Sequence, residues 1–118
     1  MKAIIEVSGK ASVFKTAAAQ VTAARKGRVP EFHFSFELAR SLFAELTPAR
    51  LHLLDTLRRV GLCSVNALAK AAKRNYSNVH TDAARLEELG MVDRSAEGEI
   101  VVPYESVEIV VPLARAVA

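Results

Sequence analysis

Tryptophan is absent from this 118-residue chain, cysteine occurs once, and the five glycines are scattered rather than clustered. A lone thiol, Cys63, cannot close an internal disulfide, which points to a reducing compartment. Its place between Leu62 and Ser64 is that of a small buried hydrophobe rather than an activated redox thiol. The three histidines, His33, His52 and His80, fall in different segments without HxH, HExxH or CxxC spacing, so no metal site is expected. No GxSxG elbow and no glycine-rich phosphate loop occurs, which leaves neither an activated nucleophile nor a nucleotide cradle. The chain reads as a non-enzyme with no cofactor.

Long apolar runs are missing too. None approaches the roughly 20 residues that span a bilayer, and Glu6 interrupts the apolar stretch in MKAIIEVSGK before it could act as a signal core. No membrane contact and a cytoplasmic location are expected. Aromatics are only 6% of residues, and Tyr76 and Tyr104 are the only tyrosines, so the stacked pairs that grip single-stranded RNA are lacking.

What is present is an ordinary globular composition, 51% hydrophobic and 25% charged, with the length of one domain sharing one core. Net charge is +3 and the pI near 9.3, which favours a polyanionic partner. Charge is segregated: residues 1–30 carry a net +5, residues 31–63 balance, residues 64–94 carry +1 and residues 95–118 carry −3.

Periodicity lays out the elements. AIIEV (3–7) reads as a strand and Ala11–Lys26 as an alanine-rich helix stopped by Gly27. EFHFSFEL alternates, placing Phe32, Phe34 and Phe36 on one strand face. A short helix is expected over Glu37–Leu46. Thr47-Pro48 then caps and opens a helix whose stripe is Leu51, Leu54 and Leu57 and whose stop is Gly61. Ser64 caps a fourth helical segment with Val65, Leu68, Ala69 and Ala72 inward. Asn75 caps a fifth with Val79, Ala83, Leu86 and Leu89 inward, closed by Gly90. MVDRSAEGEIVV has the pattern of a hairpin turning at Gly98, and SVEIVVPL (106–113) that of a last strand.

From Thr47 to Val102 this order is helix, helix, helix, hairpin. The expected fold is therefore α+β, a winged helix-turn-helix carrying an additional N-terminal strand-helix-strand element. Within one domain spanning 1–118, residues 1–46 form that extension, available for dimerisation; 47–102 form the winged unit, and 103–118 hold the C-terminal strand.

The run KRNYSNVHT (73–81) concentrates hydrogen-bonding groups around a single valine. With Val79, Ala83 and Leu86 inward, helical steps of 100° leave Tyr76, Ser77, His80, Thr81, Ala84 and Arg85 on the outer or flanking faces. These side chains suit base edges, while Lys70, Lys73 and Arg74 suit phosphates. Asn78 sits at the boundary of that face, where a base, a phosphate or the helix's own first turn are all within reach. Arg94, at the start of the hairpin, can reach backbone or minor groove, or remain a solvated surface arginine. The bland alternative is a capped, solvated helix start.

The segment LTPARLHLLDTLRRVG…SVNALAKAAKRNYSNVHTDAARLEELGMVDR resembles the winged-helix regulators related to the MarR and ArsR families. The wider layout, ending in VVPYESVEIVV, resembles a group of short DNA-binding proteins of archaea and bacteria, some of them antitoxins paired with TumE-type toxins. NYSNVHTD is the discriminating piece, since LEELGMV is common to many winged helices. The resemblance implies that Asn75 to Thr81 enter the major groove of double-stranded DNA and that Ser95 to Gly98 form the wing tip. This wing departs from a phosphate-binding one in carrying Glu97 and Glu99. The strand-helix-strand start replaces the long dimerisation helices of MarR-type proteins, so their effector site does not carry over.

A homodimer is expected, because one such helix covers only a few base pairs. A cognate toxin would be a further partner if the antitoxin resemblance holds. A protein-interaction module that keeps the fold without binding DNA is the alternative function.

Overall fold

The structure, a computed structural model, describes residues 1–7 and 31–113. The helix expected over Ala11–Lys26 lies outside them. In chain order the described elements are β1 (Lys2–Val7), β2 (Phe32–Phe36), α1 (Ala39–Glu45), α2 (Pro48–Val60), α3 (Val65–Ala72), α4 (Tyr76–Glu88), β3 (Asp93–Arg94), β4 (Ile100–Val101) and β5 (Ser106–Val110). The chain is a mixed α+β protein of two compact units, one formed by Met1–Glu45 with Ser106–Ala118 and the other by Leu46–Glu105. The C-terminal strand thus joins the N-terminal unit, a pairing that no local pattern specifies.

In the first unit β1 is the middle of a parallel sheet of order β2-β1-β5. Register sets Ala3 beside Phe32 and Val107, Ile5 beside Phe34 and Ile109, and Val7 beside Phe36. Paired residues point to one side, so all three phenylalanines share an apolar face with Ala3 and Ile5, both fully buried. The opposite face is mixed: Ile4 lies beside His33 and Glu108, and Lys2 Nζ meets Glu108 Oε1 at 3.1 Å. Helix α1 packs on β2 and buries Leu42.

In the second unit each helix opens on a side-chain cap. Thr47 Oγ1 accepts from the Arg50 amide at 3.2 Å, Ser64 Oγ from the Ala67 amide at 3.1 Å, and Asn75 Oδ1 from the Ser77 amide at 2.8 Å. Such a cap contributes on the order of 1 kcal/mol. Helix α2 buries more of its circumference than a single stripe: Leu53, Leu54, Thr56 and Leu57 are inside and Leu51 is half-buried. The inward face therefore differs from the expected Leu51, Leu54, Leu57 stripe, because α3 and α4 both pack against this helix. Buried Thr56 is satisfied by donating to the His52 carbonyl at 3.0 Å.

Helix α4 buries Val79, Ala83 and Leu86 as its spacing requires, while Leu89 forms the C-cap and is only half-buried. Gly90, at φ 85°, lets the Met91 amide donate to Leu86 O at 2.9 Å and the Gly90 amide to Glu87 O at 3.0 Å, closing the helix and bringing buried Met91 under Leu86.

The hairpin is shorter than its sequence pattern. Its antiparallel strands have two residues each, with Asp93 opposite Val101 and Arg94 opposite Ile100. It is anchored from below: Ile100 exchanges both backbone hydrogen bonds with Cys63, at 2.8 and 3.1 Å. The Tyr104 hydroxyl donates to Gly90 O at 2.9 Å, and Arg58 Nη1 to Val102 O at 3.2 Å. No helix among the described residues is long and apolar enough to cross a membrane.

Candidate nucleic-acid interface

The connection between α3 and α4 is three residues long, Lys73 to Asn75. Lys73 is left-handed, at φ 55° and ψ 46°, and is the only non-glycine with positive φ among the described residues. That conformation lets the Lys73 amide donate to Lys70 O at 3.2 Å and the Arg74 amide to Ala69 O at 3.1 Å, the same closure that glycine performs at the end of α4. An L-residue held there is strained by roughly 1 kcal/mol or more. The strain turns the chain sharply enough for Asn75 to cap α4.

With Val79, Ala83 and Leu86 inward, Tyr76, Ser77, Asn78, His80 and Thr81 are all exposed. Two of the polar groups in this run are occupied locally. Asn75 Oδ1 holds the amides of Ser77 and Asn78, and the Thr81 hydroxyl donates to Ser77 O at 3.0 Å. Tyr76 and His80, one turn apart, set their rings 5.8 Å apart at a 40° tilt. The tyrosine, serine, asparagine and imidazole side chains thus stand on the outer face, beside exposed Lys70 and Lys73.

The arginines behave differently from the lysines. Arg74 Nη2 donates to Asp82 Oδ2 at 2.8 Å and Arg50 Nε to Asp82 Oδ1 at 3.1 Å, so one carboxylate joins α2, the turn and α4. The Asp82 side chain is 16% exposed and that of Arg74 27%. Burial alone would raise the Asp82 carboxyl, but hydrogen bonds from Arg74 and Arg50, with their charges, outweigh it and hold the group below the ordinary carboxylate value. Arg74, expected as an outward phosphate contact, is thereby turned toward the fold. Arg85 donates to Glu88 Oε2 at 2.8 Å. Arg94 Nε donates to both Glu87 oxygens, at 3.1 and 3.0 Å, and its Nη1 to Gly98 O at 2.9 Å, which ties the hairpin to α4.

Asp82 is the residue that sequence reasoning missed. Its partners lie eight and thirty-two positions away, outside any helical or strand period. The only hint was an acid placed directly after the basic and polar run. Cys63 is buried, and burial, with the charge of Glu99, raises its thiol above the ordinary value, so it stays protonated at neutral pH. Among the described residues no group of His, Cys, Asp and Glu is placed to hold a metal ion.

The second unit is therefore three helices and a short hairpin, presenting a neutral, hydrogen-bonding helix start beside two lysines. The chain belongs to the HVO_A0114 family, whose profile matches residues 45–109. That match covers the whole of this unit and most of β5. No curated protein and no solved structure matches the chain.

Proposed function

We propose that this protein is a sequence-specific regulator that binds double-stranded DNA through a winged helix-turn-helix. In this reading α3 and α4 are the two helices of the motif, α4 reads the major groove, and the β3–β4 hairpin is the wing. One observation carries it: α4 keeps its small and apolar side chains inward while Tyr76, Ser77, Asn78 and His80 face out at its first turns, next to Lys70 and Lys73. Donors and acceptors on a helix start, flanked by outward cations, match base edges flanked by phosphates. A merely solvated helix start has no need of a strained Lys73 to aim it.

Each part of the constellation takes a role. Tyr76, Ser77, Asn78 and His80 make base contacts, and Lys70 and Lys73 fix register on the backbone. Asn75 and Thr81 shape the first turns through their local hydrogen bonds. Arg74 positions α4 through Asp82. The hairpin, with Arg94 engaged by Glu87, with Glu97 at its tip and with Glu99 just after it, contributes little to phosphate binding. Binding as a homodimer supplies two such helices, and autoregulation as the antitoxin of a toxin pair fits the same architecture.

The test is titration of a labelled duplex from the gene's own upstream region at several salt concentrations, against scrambled competitor. Tight binding that falls steeply with salt and survives scrambled DNA is the expected result. Failure to bind either duplex at low salt would sink the reading in favour of a protein-interaction module, for which capture of the neighbouring gene's product is the next measurement.

A further inference from the structure

The parallel sheet of the first unit has one edge whose composition invites another strand. β1 lies between β2 and β5, so β5 is bonded on one side, and among the described residues no strand pairs with its other side. From Ser106 to Val111 this edge carries no Lys, Arg or Pro and a single charge, Glu108, which its own Lys2 engages, and Pro112 ends the run. Its apolar side chains are uncovered: Ile109 is 38% exposed, Val110 43% and Val111 40%.

We propose that this edge pairs antiparallel with β5 of a second copy about a two-fold axis at Ile109, joining the two sheets into one. The pattern of the strand selects both partner and register. A two-fold axis normal to the sheet keeps the apolar face of one copy continuous with that of the other, which requires the axis to pass through a residue rather than between two. Centred on Ile109, the pairing sets Ile109 opposite itself and Val107 opposite the partner's Val111, extending the face that holds Ala3 and Ile5. On the other face Glu108 comes opposite the partner's Val110. A shift to Glu108 would place two carboxylates directly opposite, which is unfavourable. In the chosen register each Glu108 keeps its own Lys2 at 3.1 Å and meets no like charge. A short edge buries less than the roughly 1,200–2,000 Å² of a firm interface, so the association is weak, with a dissociation constant of about micromolar order.

The self-association goes beyond the DNA reading and stands without it; only its use, presenting two reading helices, rests on that reading. Sedimentation equilibrium of the full chain, over a wide range of concentration and without DNA, should show a monomer–dimer equilibrium. Ile109→Lys, which sets two ammonium groups at the axis, should weaken it by about tenfold or more. Val110→Lys, opposite the partner's Glu108, should leave it unchanged or tighten it. Val111→Lys, beyond the strand, repeats the test if Ile109→Lys disturbs folding by circular dichroism.

In a Cys63→Ser background, Ile109→Cys should cross-link under mild oxidation. Residues directly opposite in an antiparallel pair have Cα atoms about 4.5–5.5 Å apart, within disulfide range. Glu108→Cys should not cross-link. A chain that stays monomeric throughout would overturn the proposal, as would a dimer that is indifferent to Ile109→Lys and gives no cross-link through Ile109→Cys. A dimer with the expected mutational pattern that binds no operator would leave the interface standing and remove only the DNA reading.

Discussion

The start of α4 and the tip of the β3–β4 hairpin are both short, exposed and polar, yet they handle charge in opposite ways. At the helix start the outward side chains are neutral donors and acceptors, the flanking Lys70 and Lys73 have no acidic partner among the described residues, and the one nearby carboxylate, Asp82, is occupied by two arginines. At the hairpin the cation Arg94 is held by Glu87 and Gly98, while Glu97 and exposed Asp93 are left toward solvent. The difference separates a surface with outward cations from one with outward carboxylates. It also separates the uses of two kinds of cation. Arg50, Arg74 and Arg94, with planar forks that fit carboxylates, tie separate elements together, and Lys70 and Lys73 remain outward.

The largest effect that would disturb this division comes from Asp82→Ala. It strips the shared partner from Arg50 and Arg74 and should lower stability by about 2–3 kcal/mol in chemical denaturation. A loss below about 0.5 kcal/mol would mean that the three-element clamp contributes nothing. The same clamp predicts a pH dependence. The carboxyl is depressed in the folded state, so its contribution is fully present above the unfolded value near 3.9 and is lost as pH falls through the folded value. Wild type should therefore lose more stability than Asp82→Ala between about pH 5 and the acid end of the titration.

Next in size, Tyr76→Ala and His80→Ala should each relax sequence discrimination by about 1–3 kcal/mol, read by competition between operator and single-base variants. Both side chains are exposed, so melting temperature should barely move. Smaller again is Lys73→Gly, in which stability and binding go opposite ways. Relief of the left-handed strain should raise stability by about 0.5–1 kcal/mol, while loss of one phosphate contact lowers the salt slope by about one unit. Smallest is Arg94→Ala, expected to change DNA affinity by less than about 0.3 kcal/mol, within the range of surface substitutions. A large loss there would show that the hairpin touches DNA and erase the contrast.

Local patterns made most of the second unit legible in advance. Thr47, Ser64 and Asn75 all cap the helices they precede, and Gly61 and Gly90 end theirs with positive φ. These are interactions among residues within a turn of one another, which sequence encodes directly. The two-sided burial of α2 was not legible, because the elements that pack on it, α3 and α4, arrive later in the chain. That the strands AIIEV, FHFSF and VEIVV need partners, in each other or across a dimer axis, was legible, but the parallel register of β5 on β1 was not, since pairing between distant strands leaves no trace in either one's periodicity. Of the candidate site, the outward face of α4 followed from helical phase alone. The commitment of Arg74, Arg85 and Arg94 to Asp82, Glu88 and Glu87 required three-dimensional proximity.

The paired hydrogen bonds between Cys63 and Ile100 reach further than their place at the base of the hairpin suggests. They close a loop that contains all of α3 and α4, so the chain entering α3 and the second strand of the hairpin are held side by side at its base. In amide hydrogen exchange the Cys63 and Ile100 amides should accordingly behave as one cooperative unit with the core of α4, exchanging only when the whole unit opens. A peptide cut to the two helices alone would lack that closure, and the exposed start of α4 would fluctuate with it.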